Sequence, residues 1–396
     1  MTSRRREEQR AGQLCVLQVT ASVGPREGGP SVGVMALDRA LRDQGVASTV
    51  CSTDADGLDG RLSASDRRRI QHAGNVRLFR VHWPRRLRTS IGMALSLYPL
   101  VRSADVVHVH YVHAWSSFVA ALYSRMLGRP YVLQPHGGLE PYHMAKSTRV
   151  KVLFELLSGT LRHASALVVA TEMEAAHITS VPRSRQLLVP LGAPSPISRQ
   201  SVRSHVKGDP RVLFVGRLAP KKRADVLLRA WPHVHDQIAM AQLDVVGPDT
   251  DGLLDGYKML VAELKLGASV TFWGQLLGED KSDAFAKATV FALPSENESF
   301  GIAVAEALSA GLPVVISKHV AIAEEVAAAG AGVVMPNLEP EDWAQALVDL
   351  LQDDAALAAM SLAAKRLASE RYSWEQAGRR LVGLYRELVD EVMTPQ

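Results

Sequence analysis

Residues 294–317 read PSENESFGIAVAEALSAGLPVVIS. Pro294 and Ser295 open it as a turn, and a polar run with two acids, Glu296 and Glu298, follows. The spacing then predicts an amphipathic helix over 300–310. Gly311 stops it, Pro313 comes next, and Val314, Val315 and Ile316 read as a short buried strand. A glycine just past a helix end, with a proline soon after, is helix-stop chemistry.

Glu298 and Glu306 stand eight positions apart. Glu298 precedes the helix and Glu306 lies inside it. Ser299, Phe300 and Gly301 offer unpaired N–H groups at the helix start, and such an end binds anions, phosphate above all. Gly301 carries no side chain, so a ligand can approach the backbone there. A polar ligand with a phosphate and several hydroxyls suits this end. For either acid taken alone, a cap or a solvated helix face is the simpler reading. A glycosidase pair needs carboxyls about 5 to 9.5 Å apart, whereas eight helical residues rise roughly 12 Å; that pair is set aside.

The segment resembles the signature of retaining glycosyltransferases of family 4, which have the GT-B fold. That signature runs P-S-x-x-E-x-F-G, has a second Glu eight positions after the first, and continues A-x-G-x-P-V. Here Pro294, Ser295, Glu298, Phe300, Gly301, Glu306, Ala310, Gly311, Pro313 and Val314 occupy those places.

The whole chain is compatible with this. Its 396 residues make room for two or three domains. Hydrophobic content of 47% and charged content of 22% are ordinary for a globular protein. Cys15 and Cys51 form no metal or disulfide pattern and fit a reducing compartment. No apolar run is long enough to span a membrane. The start, MTSRRREEQRAGQ, has charge without an apolar core, so it reads as a disordered tail over 1–13, not a signal peptide. These features predict a cytoplasmic protein. The charge is uneven: residues 1–190 hold 25 Lys+Arg against 14 Asp+Glu, and residues 191–396 hold 20 against 27. A basic first half suits an anionic bilayer at the inner face of the plasma membrane, or a lipid pyrophosphate. No nucleic-acid-binding motif accompanies it.

Strands and helices alternate along the first half. Strands are predicted at 14–19, 47–51, 77–82, 105–110, 131–134, 166–170 and 186–190. Helices are predicted at 31–43, 115–127 and 148–161. Three prolines and a glycine within 189–196 read as a linker. A second alternation follows, with strands at 212–215, 243–246, 270–272, 290–293, 314–316 and 332–335. Such alternation predicts parallel sheets covered on both faces, and doubly wound sheets bind ligands at the carboxyl ends of their strands. The expected fold is α/β: two Rossmann-like domains, 14–192 and 193–372. The resemblance implies that they face each other across a cleft, and that a last helix over 373–396 returns to the first domain.

Gly24, Gly28, Gly29 and Gly33 do not spell G-x-G-x-x-G, so a nicotinamide cofactor is not expected. The family has a glycine-rich loop here facing the cleft, and Gly28 and Gly29 match it; a plain strand–helix turn is the alternative. Gly216, Arg217 and Lys222 follow the first strand of the second domain. Gly216 permits a tight turn, and two cations there suit a leaving diphosphate. The family motif is G-R-L with a Lys five positions after the Arg and then a Gly. Arg223 replaces that Gly and leaves open which of Lys221 and Lys222 points inward. His136 ends a strand beside Gly137 and Gly138, and the family's His-Gly at this place lies near the donor sugar and phosphate. Leu139, Glu140, Pro141 and Tyr142 resemble the exopolysaccharide and lipid-linked glycan branch. His108, His110 and His113 cluster after another strand, either as a metal set without an evident fourth ligand or as hydrogen-bonding cleft walls. The family requires no metal or cofactor. The stretch from Trp83 to Leu97 mixes arginines with apolar residues; it reads either as an interfacial segment or as a loop leading into a core helix.

The resemblance therefore implies transfer of a sugar from a uridine- or guanosine-diphosphate sugar to a hydroxyl of a glycan or polyprenyl-linked acceptor. Glu306 would bind the ribose. Glu298 and the N–H groups of Phe300 and Gly301 would hold the sugar, Arg217 and Lys222 the diphosphate, and His136 would support the sugar from the first domain. A nucleotide-sugar epimerase and a non-catalytic partner of the same fold are the alternatives.

Overall fold

The computed structural model describes residues 13–27, 29–57, 60–83, 85–139, 153–156, 158–178, 181–193 and 209–393. They form two compact units, one of residues 1–192 with 374–396 and the other of residues 193–373. Residues 1–12 of the predicted tail, Gly28, residues 140–142 and residues 194–196 of the predicted 189–196 linker lie outside the described residues, as do residues 148–152 and 157 of the predicted 148–161 helix.

The first unit is built on β1 (Cys15–Ser22), β2 (Ala47–Thr53), the small hairpin β3 (Ala55–Asp56) and β4 (Gly60–Arg61), β5 (Val76–Phe79), β6 (Val106–His110), β7 (Tyr131–Gln134), β8 (Ala166–Val169) and β9 (Gln186–Leu188). Its main sheet is parallel, in the order β5-β2-β1-β6-β7-β8-β9. Runs such as VVHVH and ALVV are buried along their whole length, as parallel strands covered on both faces are. The helices are α1 (Gly29–Asp43), α2 (Ala64–Ala73), α3 (Ile91–Ser103), α4 (Trp115–Met126) and α5 (Glu172–His177). On α3, Met93, Leu97 and Val101 enter the core, whereas Ile91, Leu95 and Tyr98 stay exposed. The reading as a core helix thus holds for one face of α3.

The last helix, α13 (Trp374–Met393), belongs to this first unit. Ala377, Leu381, Tyr385 and Leu388 recur at helical spacing and join the core formed by Val16, Leu37, Leu41 and Val106. Burying each large apolar side chain contributes about 1.5–3 kcal/mol. Gly192 closes against α13, where a Cβ would run into the backbone and ring of Trp374.

The second unit has β10 (Arg211–Val215), β11 (Gln242–Val246), β12 (Val270–Gly274), β13 (Val290–Leu293), β14 (Val314–Ser317) and β15 (Gly332–Met335). They form a parallel sheet in the order β12-β11-β10-β13-β14-β15. Between them run α6 (Ala224–Gln237), α7 (Leu254–Glu263), α8 (Gly278–Lys287), α9 (Ile302–Ser309) and α10 (Ala323–Ala329), with α11 (Pro340–Gln352) and α12 (Asp354–Arg371) closing the unit. Trp231 and Trp343 are fully buried, and the Trp231 indole N–H donates to Ser269 at 3.1 Å.

Helix α9 starts two residues later than the spacing predicts. Gly301 sits in the left-handed region at φ +92° as its N-cap. That turns Phe300 out of the helix and into the core, edge-on to Tyr372 at 5.5 Å. The predicted stop holds: Gly311 takes φ +75°, and Leu312 N–H donates to Ala307 at 2.9 Å.

Candidate functional site

In the second unit the chain runs outward from β10 to β11 and β12, then crosses to the other side of β10 to continue at β13. The carboxyl ends of β10 and β13 are therefore the topological switch point, where such sheets bind ligands. Gly216, Arg217 and Lys222 follow β10, and Ser295, Glu298 and Gly301 follow β13.

These loops are joined by an ion pair between Lys222 Nζ and Glu298 Oε1, both largely buried. Ser295 Oγ also donates to Glu298 Oε1, at 3.1 Å. Burial pushes the Glu298 carboxyl up, but the Lys222 charge and hydrogen bond, aided by Lys221 and Ser295, hold it below the usual range. Its backbone is fixed too: Glu298 N–H donates to His319 and its carbonyl accepts from Ala321. Lys222 is thus the lysine that turns toward Glu298. Arg223, where the family motif has glycine, adopts φ +50°, a left-handed conformation that glycine reaches without cost. Its side chain is tied to Asp225 at 3.1 Å and to Glu296 at 2.6 Å.

Arg217 is half-buried and makes no ion pair or hydrogen bond with its side chain among the described residues. No backbone acceptor among the described residues takes the N–H of Phe300 or of Gly301. A cation without a partner and free amide donors on neighbouring loops can together hold an anion.

Glu306 lies on α9, 8% exposed, and both its oxygens accept from Lys281 Nζ of α8 at 2.7 Å. Each oxygen keeps a lone pair for a further donor. Sequence reasoning missed Lys281, which no spacing connects to Glu306. It also missed Gly247, after β11. Gly247 has φ +150°, and a Cβ there would overlap the Gly216 carbonyl oxygen. That close approach lets Gly216 N–H reach Val246 and Leu218 N–H reach Pro248, both at 2.9 Å, which shapes the Arg217 loop. The adjacent Gly247-Pro248 after an apolar strand was the available signal.

In the first unit, Gly29 opens α1 and His136 follows β7. His136 takes φ +53° and is partly open to solvent. Gly137 N–H donates to the buried carboxylate of Glu174 at 2.6 Å, which pins the His-Gly turn. His108 and His110 share a face, as the strand alternation predicts, with rings stacked 4.4 Å apart. His113 lies elsewhere, edge-on to Phe154 at 5.9 Å. No group of three or more His, Cys, Asp or Glu among the described residues is placed to hold a metal ion, and none of their helices is long and apolar enough to cross a membrane.

These features define a doubly wound α/β chain with Arg217 and the Lys222–Glu298 pair at a strand switch point, and comparison with known proteins identifies its kind. Residues 198–367 match the family described as glycosyl transferases group 1, and residues 28–192 match the glycosyl transferase 4-like domain. The D-inositol 3-phosphate glycosyltransferase of Saccharomonospora viridis is 30% identical over 311 residues, which is 72% of this chain and 70% of its own. The Rhodococcus opacus protein of the same name is 34% identical over 199 residues, 48% of this chain and 44% of its own. Anabaena Alr3699/HepE, solved in complex with UDP and glucose, superposes with a TM-score of 0.74 at 20% identity, covering 95% of this chain and all of its own. The chain belongs to the group 1 glycosyltransferases and has the GT-B fold of two Rossmann-like units.

Proposed function

We propose that the chain transfers a sugar from a nucleoside-diphosphate sugar to a hydroxyl acceptor, with retention at the anomeric carbon. The observation that carries this reading is the switch point of the second unit, where Lys222 meets Glu298 and Arg217 stands without a partner. Arg217 and Lys222 take the diphosphate. Glu306 accepts from ribose hydroxyls, and Glu298 with the Phe300 and Gly301 N–H groups holds the sugar. His136 supplies a further hydrogen bond to a sugar hydroxyl.

No side chain is placed as a nucleophile. The acceptor oxygen attacks from the side the diphosphate leaves: its bond to the anomeric carbon forms as the carbon–phosphate-oxygen bond breaks. The acceptor proton passes to the departing phosphate. Catalysis is then positioning and charge stabilisation. The expected outcome is that Lys222→Ala lowers kcat about a hundredfold, the usual effect of removing one charge-stabilising group. Glu306→Ala is expected to weaken donor binding about tenfold, the value of a hydrogen bond to a charged group. Steady-state kinetics unchanged in both variants would remove the assignment.

A thermal-shift screen over uridine and guanosine diphosphates and their sugars identifies the donor. Product analysis with and without an acceptor then separates transfer from an epimerase, which releases free sugar alone, and from a non-catalytic partner, which turns nothing over. The names of the relatives put inositol phosphate first among acceptors to supply.

A lipid-linked glycan is the second acceptor, favoured by one surface. Trp83 is 89% exposed, and Ile91 and Leu95 on α3 are 66% and 72% exposed, beside the exposed Arg85. We infer that this patch rests on an anionic membrane face. Co-sedimentation with anionic vesicles should fall with salt, and no binding at low salt would defeat the membrane reading.

A further inference from the structure

A buried polar chain crosses the core of the first unit and ends at His136. It starts at Asp38 on α1, a fully buried carboxylate that Arg42 reaches with Nε at 3.0 Å. Gln18 on β1 directs its side-chain nitrogen to Ser48 Oγ at 2.9 Å and to Asp38 Oδ1 at 3.4 Å. With the nitrogen held there, the Gln18 amide oxygen faces His110 Nε2, 3.1 Å away. His110 Nδ1 lies 3.0 Å from His136 Nε2.

With both rings neutral, hydrogen-bond arithmetic fixes the ring protons of His110 and His136. An amide oxygen only accepts, so His110 Nε2 must carry a hydrogen. Burial, with the neighbouring rings of His108 and His136, keeps His110 neutral. Its Nδ1 therefore bears a lone pair, and His136 Nε2 must donate to it. His136 is neutral as well, since burial lowers its pKa to about 4. Its Nδ1 is left as a bare acceptor, and that atom makes no hydrogen bond among the described residues. The two rings are braced on both sides. His108 stacks on His110 and its Nδ1 meets the Tyr385 hydroxyl of α13 at 2.6 Å, while Glu174 holds the peptide after His136.

We infer that Gln18 and His110 are positioning residues that lock His136 in the Nε2–H tautomer and so present its Nδ1 to a sugar hydroxyl. A bare ring nitrogen accepts from a hydroxyl and repels a phosphate oxygen, so this end of the first sheet selects the sugar over the diphosphate. The inference rests on the sugar-transfer reading for the ligand, and on the fold alone for the tautomer.

The test is a two-bond proton–nitrogen correlation spectrum of the full chain carrying 15N-histidine, with His136→Gln to identify the signal. The free chain is expected to show His136 as a single Nε2–H tautomer. An Nδ1–H pattern, a mixture or an imidazolium at neutral pH overturns the inference. UDP-glucose is expected to move the Nδ1 resonance, and UDP alone to leave it in place. Movement with inositol phosphate alone assigns the hydroxyl to the acceptor instead of the donor. A chain that binds UDP-glucose by thermal shift without moving Nδ1 refutes the hydroxyl contact. A chain that binds no nucleotide sugar refutes the proposed function, with the tautomer judged separately in the free spectrum. Gln18→Leu is expected to give mixed tautomers and a kcat/KM about five- to tenfold lower, the loss of one neutral hydrogen bond. A folded Gln18→Leu chain that keeps the single tautomer overturns the relay; if that variant does not fold, the free wild-type spectrum decides.

Discussion

At Glu298 burial and charge pull in opposite directions, and the Lys222 charge wins. A carboxyl held below its ordinary value of 4.5 contributes stability that is present above that value and is lost as pH falls through the folded one. Lys222→Met removes the attraction and keeps the burial, so Glu298 should titrate above 4.5. Melting temperature followed between about pH 4 and 6 should then rise less with pH in Lys222→Met than in the wild type. Glu298→Gln, which has no proton to titrate, serves as the reference. The histidines of the first unit act with the same sign. Burial lowers His108 to about 3 and His136 to about 4. The unfolded chain takes up protons first, near 6.5, so stability is full above that value and declines as the solution is acidified toward the folded values. Acid melts should show the first unit failing before the second.

Among the elements, the two loops at the switch point depend on residues that never touch a ligand. Gly247→Ala would force a methyl into the Gly216 carbonyl and displace the Arg217 loop. Donor affinity should fall at least tenfold together with a loss of stability of about 2 kcal/mol or more, as for strained backbone sites. Gly216→Ala is milder, since its Cβ would meet only the Phe214 and Lys222 side chains at 3.4 Å and beyond. Denaturant melts of the two variants check the order. The sheets themselves were legible in the sequence. Each central strand is a short apolar run, and a buried parallel strand has no polar face to confuse the reading. The signature around Glu298 was legible because its cap, helix and stop are local. Lys281, Gly247, Gln18 and Glu174 were not, because each acquires its role from a partner far along the chain. Gly301 was marked for ligand access, and its positive φ adds a conformational reason for the same residue.

For the whole molecule, the decisive feature is that the chain leaves the first unit and returns to it at Trp374. Removing residues 374–396 takes Leu381, Tyr385 and Leu388 out of that core and leaves His108 without the Tyr385 hydroxyl. Losses of about 2–5 kcal/mol for each large buried side chain exceed what a single unit of this size can spare. Limited proteolysis of the truncated chain should therefore digest the first unit and spare residues 209–373. Synthesis on the ribosome meets the same constraint. Domains usually settle in the order in which they emerge, yet here the segment that completes the first unit is translated after the whole of the second. The later lobe can reach its native state first, while the earlier one must wait, with an apolar groove uncovered, until the helix that starts at Trp374 has been made.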